Sequence, residues 1–294
     1  MTTPRERGDA PSSSRRRFLG LAAKAVVGVS AAATVATIDA RWVELHWLEV
    51  VRRPLPIENL PDSLVGKTLV QLSDLHVGPV VDDAYIARTF ARVRAWRPDF
   101  VVYTGDFITH SRVTMDKLRR LYAGAPHGAL GTLGILGNHD YGRHWSHPEI
   151  AAQVARELSS HGIDLVRNDV RELAGLQFAG LDDIWADAYD VRPVLAKLES
   201  ARAHLTLTHN PDTVDIPAMA GIRGWFLAGH THGGQVRVPP FPPPILPVMN
   251  RRYAAGAVDL GGGRHLYVSR GVGHLTPLRF GVRPEVTVFT LARA

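Results

Sequence analysis

The chain has no cysteine. That excludes a disulfide framework, a zinc–thiolate site and a cysteine nucleophile. Any bound metal must be held by His, Asp, Glu or Asn. Net charge is also scarce once the N-terminus is set aside. Residues 1–40 hold six Lys/Arg and three Asp/Glu, half of the formal +6 of the whole chain. No Lys/Arg stripe with interleaved aromatics occurs, so nucleic acid is not an expected partner. No internal repeat is present either. What remains is an ordinary globular composition, 45% apolar and 21% charged over 294 residues. It is enough for one large domain or two small ones.

The first forty residues read as an address. Ser14-Arg15-Arg16-Arg17-Phe18-Leu19-Gly20 looks like a bacterial twin-arginine signal. Leu21 to Ile38 follows, apolar and broken once by Lys24. Its weak hydrophobicity suits such a signal, and it is only just long enough to cross a bilayer. Export by the twin-arginine machinery to the periplasm or cell envelope is expected. Cleavage near Ala31 to Ala33 or Ala36, or retention as an N-terminal membrane anchor, both stay open. The chain then divides into residues 1–40, signal or anchor, and residues 41–294, the functional domain.

After the signal, apolar runs and helical periodicities alternate. Residues 41–53 suggest an edge strand, a hairpin or a membrane-proximal surface, and Pro54, Pro56 and Pro61 a rigid connector. Strands are expected at Leu69–Leu72, Phe100–Thr104, Leu133–Leu136, Ile163–Val166, Leu173–Ala179, Leu205–Thr208 and Trp225–Ala228. Helices are expected after Asp82, over Thr114–Tyr122, around Val154, and from Asp190 to about Ser200. Val238–Pro247 holds six prolines and must be an extended loop. The tail reads as closing strands. This order implies an α/β domain with two packed sheets.

Five of the apolar runs stop at potential metal ligands. They end in Asp74-Leu75-His76, Gly105-Asp106, Gly137-Asn138-His139-Asp140, His209-Asn210 and Gly229-His230-Thr231-His232. Strand ends are where open α/β sheets place their sites, because a terminal loop is free to aim side chains at a shared point. Carboxylate, imidazole and amide oxygen suit Mn, Fe, Zn or Co better than copper(I). Two cations about 3.5–4 Å apart can share a carboxylate and a water and lower that water's pKa toward neutrality.

The ordered set resembles the calcineurin-like metallophosphoesterase superfamily, whose pattern is Asp-x-His, Gly-Asp, Gly-Asn-His-Asp/Glu, His and Gly-His-x-His. Every element is present, in order, between residues 74 and 232. The flanks Gln71-Leu72-Ser73, Asn210-Pro211-Asp212 and Gly233-Gly234-Gln235 resemble its exported bacterial phosphodiesterase branch, as do the Pro-rich loop, Tyr253 and Ser269-Arg270-Gly271. The resemblance implies a four-layer α-β-β-α sandwich of two mixed sheets flanked by helices. It implies that Asp74, His76 and His232 hold one metal, that Asn138, His209 and His230 hold a second, and that Asp106 bridges them. Manganese is the favoured ion. His139 would stabilise the phosphoryl oxygens or protonate the leaving oxygen, with Asp140 orienting its imidazole. A hydroxide between the cations would attack phosphorus in line, so no covalent phospho-enzyme is required.

His144, Trp145 and His147 follow that turn and could line the substrate pocket; His144 is the candidate substrate contact. Asp182 and Asp183 read as a turn, with acids standing behind the metal ligands as the alternative. His110 and His274 have no ligand-like context. The expected function is a two-metal phosphoester hydrolase, a phosphodiesterase above all, working as a monomer outside the cytoplasm or at the membrane. The apolar N-terminus and Pro-rich loop are compatible with membrane contact and a lipid-linked substrate. A hydrolase of UDP-diacylglucosamine in lipid A synthesis is the alternative enzyme, and a metal-stabilised scaffold the alternative without catalysis.

Overall fold

The computed structural model describes residues 13–110 and 113–294. Helix α1 (Ser13–Ile38) leads through short π and 3-10 turns into strand β1 (Glu49–Ile57). Strand and helix then alternate: β2 (Thr68–Leu72), α2 (Asp83–Ala95), β3 (Phe100–Thr104), α3 (Val113–Tyr122), β4 (Gly131–Ile135), α4 (Pro148–Ser160) and β5 (Asp164–Leu165). Next come β6 (Asp169–Leu173), β7 (Leu176–Gly180), α5 (Arg192–Lys197), β8 (His204–Leu207) and β9 (Gly224–Ala228). Strands β10 (Gly256–Gly261), β11 (Arg264–Val268) and β12 (Glu285–Arg293) close the chain.

Two mixed six-stranded sheets result, ordered β1-β12-β2-β3-β4-β5 and β10-β11-β9-β8-β7-β6. Strands β2 to β5 run parallel, as do β7, β8, β9 and β11, while β12, β6 and β10 pair antiparallel to a neighbour. The period-two alternation of each strand builds the layers. Leu69, Phe100 and Val102 face the second sheet and meet Phe178, Leu205 and Leu227 there. Val70, Val101 and Tyr103, on the opposite face, pack under α2, α3 and α4 with Ile86, Phe90, Leu118 and Val154. The far face of the second sheet is covered by Val194 of α5 and by Val214 and Met219 from 3-10 turns. Each such fully buried side chain contributes roughly 1.5–3 kcal/mol. The expected α-β-β-α sandwich is therefore present. Gln71 ties its layers together: Nε2 donates to Thr104 Oγ1 at 3.0 Å and to the Ala228 carbonyl of the other sheet at 2.9 Å.

Three local expectations differ. Pro54 and Pro56 are not in a connector but inside β1, an edge strand paired in parallel with β12. Two residues apart, their nitrogens share one side of the strand, and an edge strand has a side with no partner. The run Leu173–Ala179 is not one strand. It turns at Ala174-Gly175, both with positive φ (52° and 87°), so that β6 and β7 form a hairpin. The helix expected from Asp190 to Ser200 is only α5.

Helix α1 opens a helical run, Arg17–His46, that is long and apolar enough to cross a membrane, and its apolar window is unburied. The side chains of Arg15 and Arg16 lie outside the described residues. The foot of this run packs on the body: Ala40, Glu44 and Leu45 are buried. The Ala40 carbonyl accepts from Arg279 N at 3.0 Å, and Glu44 Oε2 from Gly281 N at 2.8 Å.

Candidate metal centre

The loops after β2, β3, β4, β8 and β9 all leave the same end of the double sheet. They are stitched to one another by backbone: Asp74 N donates to Gly105 O, His76 N to Asp106 O, and Gly229 N to His209 O, each at 3.0 Å. Five side chains carried by these loops stand on left-handed backbone: Asp74, His76, Asp106, His230 and His232, with φ between 46° and 73°. That region is uncommon outside glycine, though Asp and His tolerate it better than most, and it costs of order 1–3 kcal/mol per residue. Glycines make room for the sharp turns. A methyl group at Gly229 would collide with the side chains of Ser73 and Asp74, and one at Gly137 with the Asp106 carboxylate.

All seven residues read from the sequence as ligands converge here, and all are buried. Asp74, His76 and His232 form one triad of ligand atoms; Asp106, His209 and His230 form another. His76 Nε2 lies 3.0 Å from His232 Nε2, and His232 Nε2 is 3.4 Å from Asp74 Oδ1. In the second triad His209 Nε2 is 3.3 Å from His230 Nδ1, which is 3.0 Å from Asn138 Oδ1. Asp106 Oδ2 reaches both groups, 3.5 Å from His76 Nε2 and 3.1 Å from His209 Nε2.

These contacts test whether cations fit. Ring nitrogens face ring nitrogens in a buried place, where two lone pairs without a cation between them are poorly satisfied. In the second triad the outer nitrogens are already committed. His209 Nδ1 lies 2.7 Å from the Thr104 carbonyl, and His230 Nε2 lies 2.9 Å from the Pro247 carbonyl. Donation to those carbonyls turns the other nitrogen of each ring inward, as the outer partners of metal-bound histidines do. The donor set fits a dimetal centre.

Charge in the site is unevenly held. Burial pushes Asp74 up to about 6. Burial also lowers His76 and His230, each to about 3, and His232 well below the usual histidine range, so their lone pairs stay free at neutral pH. Burial opposes charge on Asp106 and His209 as well. Their mutual attraction, with help from neighbouring groups, outweighs it, so Asp106 stays ionised and His209 is held well above its ordinary value.

His139 sits at the edge of the pair. Its N–H donates to Asp106 Oδ1 at 2.9 Å, and its Nδ1 lies 3.0 Å from the Thr109 carbonyl. The sequence reading gives Asp140 the task of orienting this ring. In the structure Thr109 makes that contact, and Asp140 instead accepts from Gly137 N at 2.8 Å and Ile108 N at 3.1 Å, clamping the loop. Burial, then Asp106, raises the Asp140 carboxyl to about 8. His144 lines a hollow of about 290 Å³ with His110, His139 and Trp145. His147 points elsewhere, to Glu149 at 2.9 Å.

Several participants carry no sequence signal. Trp185 stacks on Trp145 at 4.8 Å and sets its edge against His230 at 4.4 Å. It follows Asp183, which is more than a turn residue: it is buried, Oδ1 accepts from Trp185 N at 2.7 Å, and Oδ2 has no partner among the described residues. Arg279, fully buried, donates from Nη2 to the Gly273 carbonyl at 2.6 Å and lies 3.3 Å from His232 Nδ1. Nothing in the spacing of the motifs points to either. A buried arginine is legible only once its surroundings are known.

Comparison with known proteins agrees with this geometry. A model of the calcineurin-like phosphoesterases matches residues 67–234. The chain is 31% identical to the uncharacterized metallophosphoesterase YkuE of Bacillus subtilis, across 95% of this chain and 97% of that one. It is 32% identical to phosphodiesterase YaeI of Escherichia coli, across 95% and 99%. The UDP-2,3-diacylglucosamine pyrophosphatase LpxG of Chlamydia trachomatis is 26% identical, across 88% and 96%.

Proposed function

The chain belongs to the calcineurin-like phosphoesterase family, and from that premise we propose that it is a two-metal phosphodiesterase working outside the cytoplasm or at the membrane. The observation that carries this reading is Asp106, whose Oδ2 lies within 3.5 Å of one imidazole nitrogen from each triad. A carboxylate so placed can serve two cations at once. Asp74, His76 and His232 hold the first in this reading, Asn138, His209 and His230 the second, and Asp106 both. When bound, such a pair neutralises the phosphate and makes hydroxide available at neutral pH for in-line displacement. The mixed oxygen and imidazole set suits Mn, Fe, Zn or Co, with Mn favoured.

The chain's own groups do the rest. His139, held through an Nδ1–H donated to the Thr109 carbonyl, keeps Nε2 for the departing oxygen; as the doubly protonated imidazolium it gives that oxygen the Nε2 proton and is left neutral. Asp140 keeps the loop under His139 in place through the two backbone amides. His144 contacts the substrate from the adjoining hollow, and Trp145 and Trp185 wall the site against water. Preference for diesters is supported by the name of the YaeI relative. A second reading, hydrolysis of UDP-diacylglucosamine, is favoured by the match to LpxG over nearly its whole length. The run Arg15-Arg16-Arg17 counts against it, because nucleotide-sugar lipids are made on the cytoplasmic side. A scaffold without catalysis is disfavoured by the complete ligand set.

The location rests on that arginine run and on α1, which we read as a twin-arginine signal or retained anchor over residues 1–40, preceding a catalytic domain over residues 41–294. The protein is taken to act as a monomer. The test is hydrolysis of bis(p-nitrophenyl) phosphate, p-nitrophenyl phosphate and UDP-diacylglucosamine by protein loaded in turn with Mn, Fe, Zn or Co. Diester cleavage well above the other two is expected; no turnover with any of the four metals contradicts the reading.

A further inference from the structure

Next to the ligand His232 lies a cleft of about 320 Å³ that none of the steps above uses. Pro244, Ile245 and Pro247 of the Pro-rich loop form one wall, and Leu275 and Leu278 the other. No Lys, Arg, Asp or Glu lines it among the described residues. An uncharged slot opening beside so polar a centre has no part in binding phosphate. Its rim is apolar and open to solvent: Ile245 is 77% exposed and Leu275 39%, and along the same stretch of chain Phe241 and Met249 are 67% and 91% exposed. Exposed apolar groups gathered at one place mark a ligand or membrane contact.

The slot is built, not incidental. One wall is fastened to the second triad by the contact between His230 Nε2 and the Pro247 carbonyl, 2.9 Å. The other is fastened to the loop after β9, where Gln235 Nε2 donates to the Leu278 carbonyl at 3.1 Å and Gln235 Oε1 accepts from Leu275 N at 3.3 Å. The segment carrying Leu275 and Leu278 also seats the foot of the apolar helix. Arg279 N donates to Ala40 O at 3.0 Å, and Trp42 and Leu45 meet Pro277 around a neighbouring depression. One short loop thus separates the slot from the end of the only membrane-length helix among the described residues.

We propose that this slot takes one hydrocarbon chain of a lipid phosphoester, whose phosphate lies at the metal centre and whose chain runs along Ile245, Leu275 and Leu278. The inference rests on the phosphoesterase reading and deepens it by naming the substrate class. The occupant is a chain of the substrate for three reasons. The slot opens at a metal ligand, it is uncharged, and its wall is shared with the seat of the apolar helix. Such a chain would reach the site from the layer into which α1 inserts.

The test is calorimetric binding of n-alkylphosphonates, from methyl to decyl, to the full-length, metal-loaded chain in lipid nanodiscs. These probes are not hydrolysed, so the measurement does not depend on catalysis. The dissociation constant is expected to fall about two- to fourfold per added methylene until the slot is filled. Ile245→Asp and Leu275→Asp are expected to flatten that series while leaving methylphosphonate affinity and metal content in place. Both side chains are exposed, so the fold is not at risk, and partition into the disc is common to all variants. Affinity independent of chain length, or equal slopes in wild type and both variants, overturns the proposal. So does a dimer in sedimentation that Ile245→Asp dissociates, since the slot then belongs to a second copy. Chain-dependent binding without hydrolysis of any diester keeps the slot and sinks the catalytic reading instead.

Discussion

At the scale of single residues, the site is held by side chains that stand on unfavourable backbone. Asp74, His76, Asp106, His230 and His232 all have positive φ, and the ladder of hydrogen bonds between their loops holds them there. Their identities were legible in the sequence because Asp-x-His, Gly-Asp and Gly-His-x-His are short and follow apolar runs. Thr109, Trp185 and Arg279 were not, because they act through a carbonyl, a ring face and a buried charge that no spacing announces. Replacing Asp106 by Asn is expected to cut activity by at least about 10³-fold and metal content from two ions to one or fewer, read by elemental analysis, because one partner of both triads is lost. His139→Gln is expected to lower kcat by roughly 10²–10⁴-fold with both ions retained, the signature of a lost proton donor. Equal loss of metal in that variant would make His139 a ligand and not an acid. Gly229→Ala drives a methyl group into Ser73 and Asp74, and we expect metal affinity to weaken about 10–100-fold with the fold kept.

His274, behind the first triad, supplies a further residue-scale prediction. It is 1% exposed, and neither ring nitrogen has a partner among the described residues. Burial, with Arg279 and His46 nearby, lowers its pKa to about 4. The folded value lies below the unfolded one of about 6.5. Stability from keeping it neutral is therefore complete above pH 6.5 and lost as pH falls from there toward 4, by up to about 3 kcal/mol. Urea melts of metal-free His274→Leu at pH 7.5 and 4.5 are expected to show a smaller acid loss than the wild type; an unchanged loss contradicts this.

At the scale of elements, the apolar runs placed β2, β3, β8 and β9 within a residue or two, because a strand buried on both faces reads as an unbroken apolar stretch. The failures have physical causes. The prolines of β1 suggested a connector because proline cannot donate, yet an edge strand leaves one side free. Ala174-Gly175 was invisible as a turn because hairpins of this type are usually signalled by Asn-Gly. Alanine at φ 52° is strained and exposed here. Ala174→Asn is expected to stabilise the protein by about 0.5–1 kcal/mol, raising Tm by a few degrees in a calorimetric scan. A lower Tm would mean that the hairpin does not turn there.

At the scale of the whole molecule, two sheets send five loops to one end, where two triads of acids and histidines are buried together. The apolar helix stands apart from this body except at its foot, where Ala40, Glu44 and Leu45 are packed in. Processing is therefore expected to spare residues from Ala40 onward. Changing Arg15 and Arg16 to Lys is expected to leave the chain in the cytoplasm, as fractionation would show, if the twin-arginine route carries it. The overall plan was legible because alternation of strand and helix, followed by strands alone, admits few architectures. The join between the apolar helix and the body was not, because packing across some 240 residues of sequence leaves no local trace.

Cutting a phosphodiester is proposed to need both cations, one on each triad, joined through Asp106. That need is tested most directly by stripping the protein of metal and titrating Mn back while following bis(p-nitrophenyl) phosphate hydrolysis. Activity is expected to stay near zero through the first equivalent and to rise with the second. Full activity at one equivalent, or in the stripped protein, would contradict it.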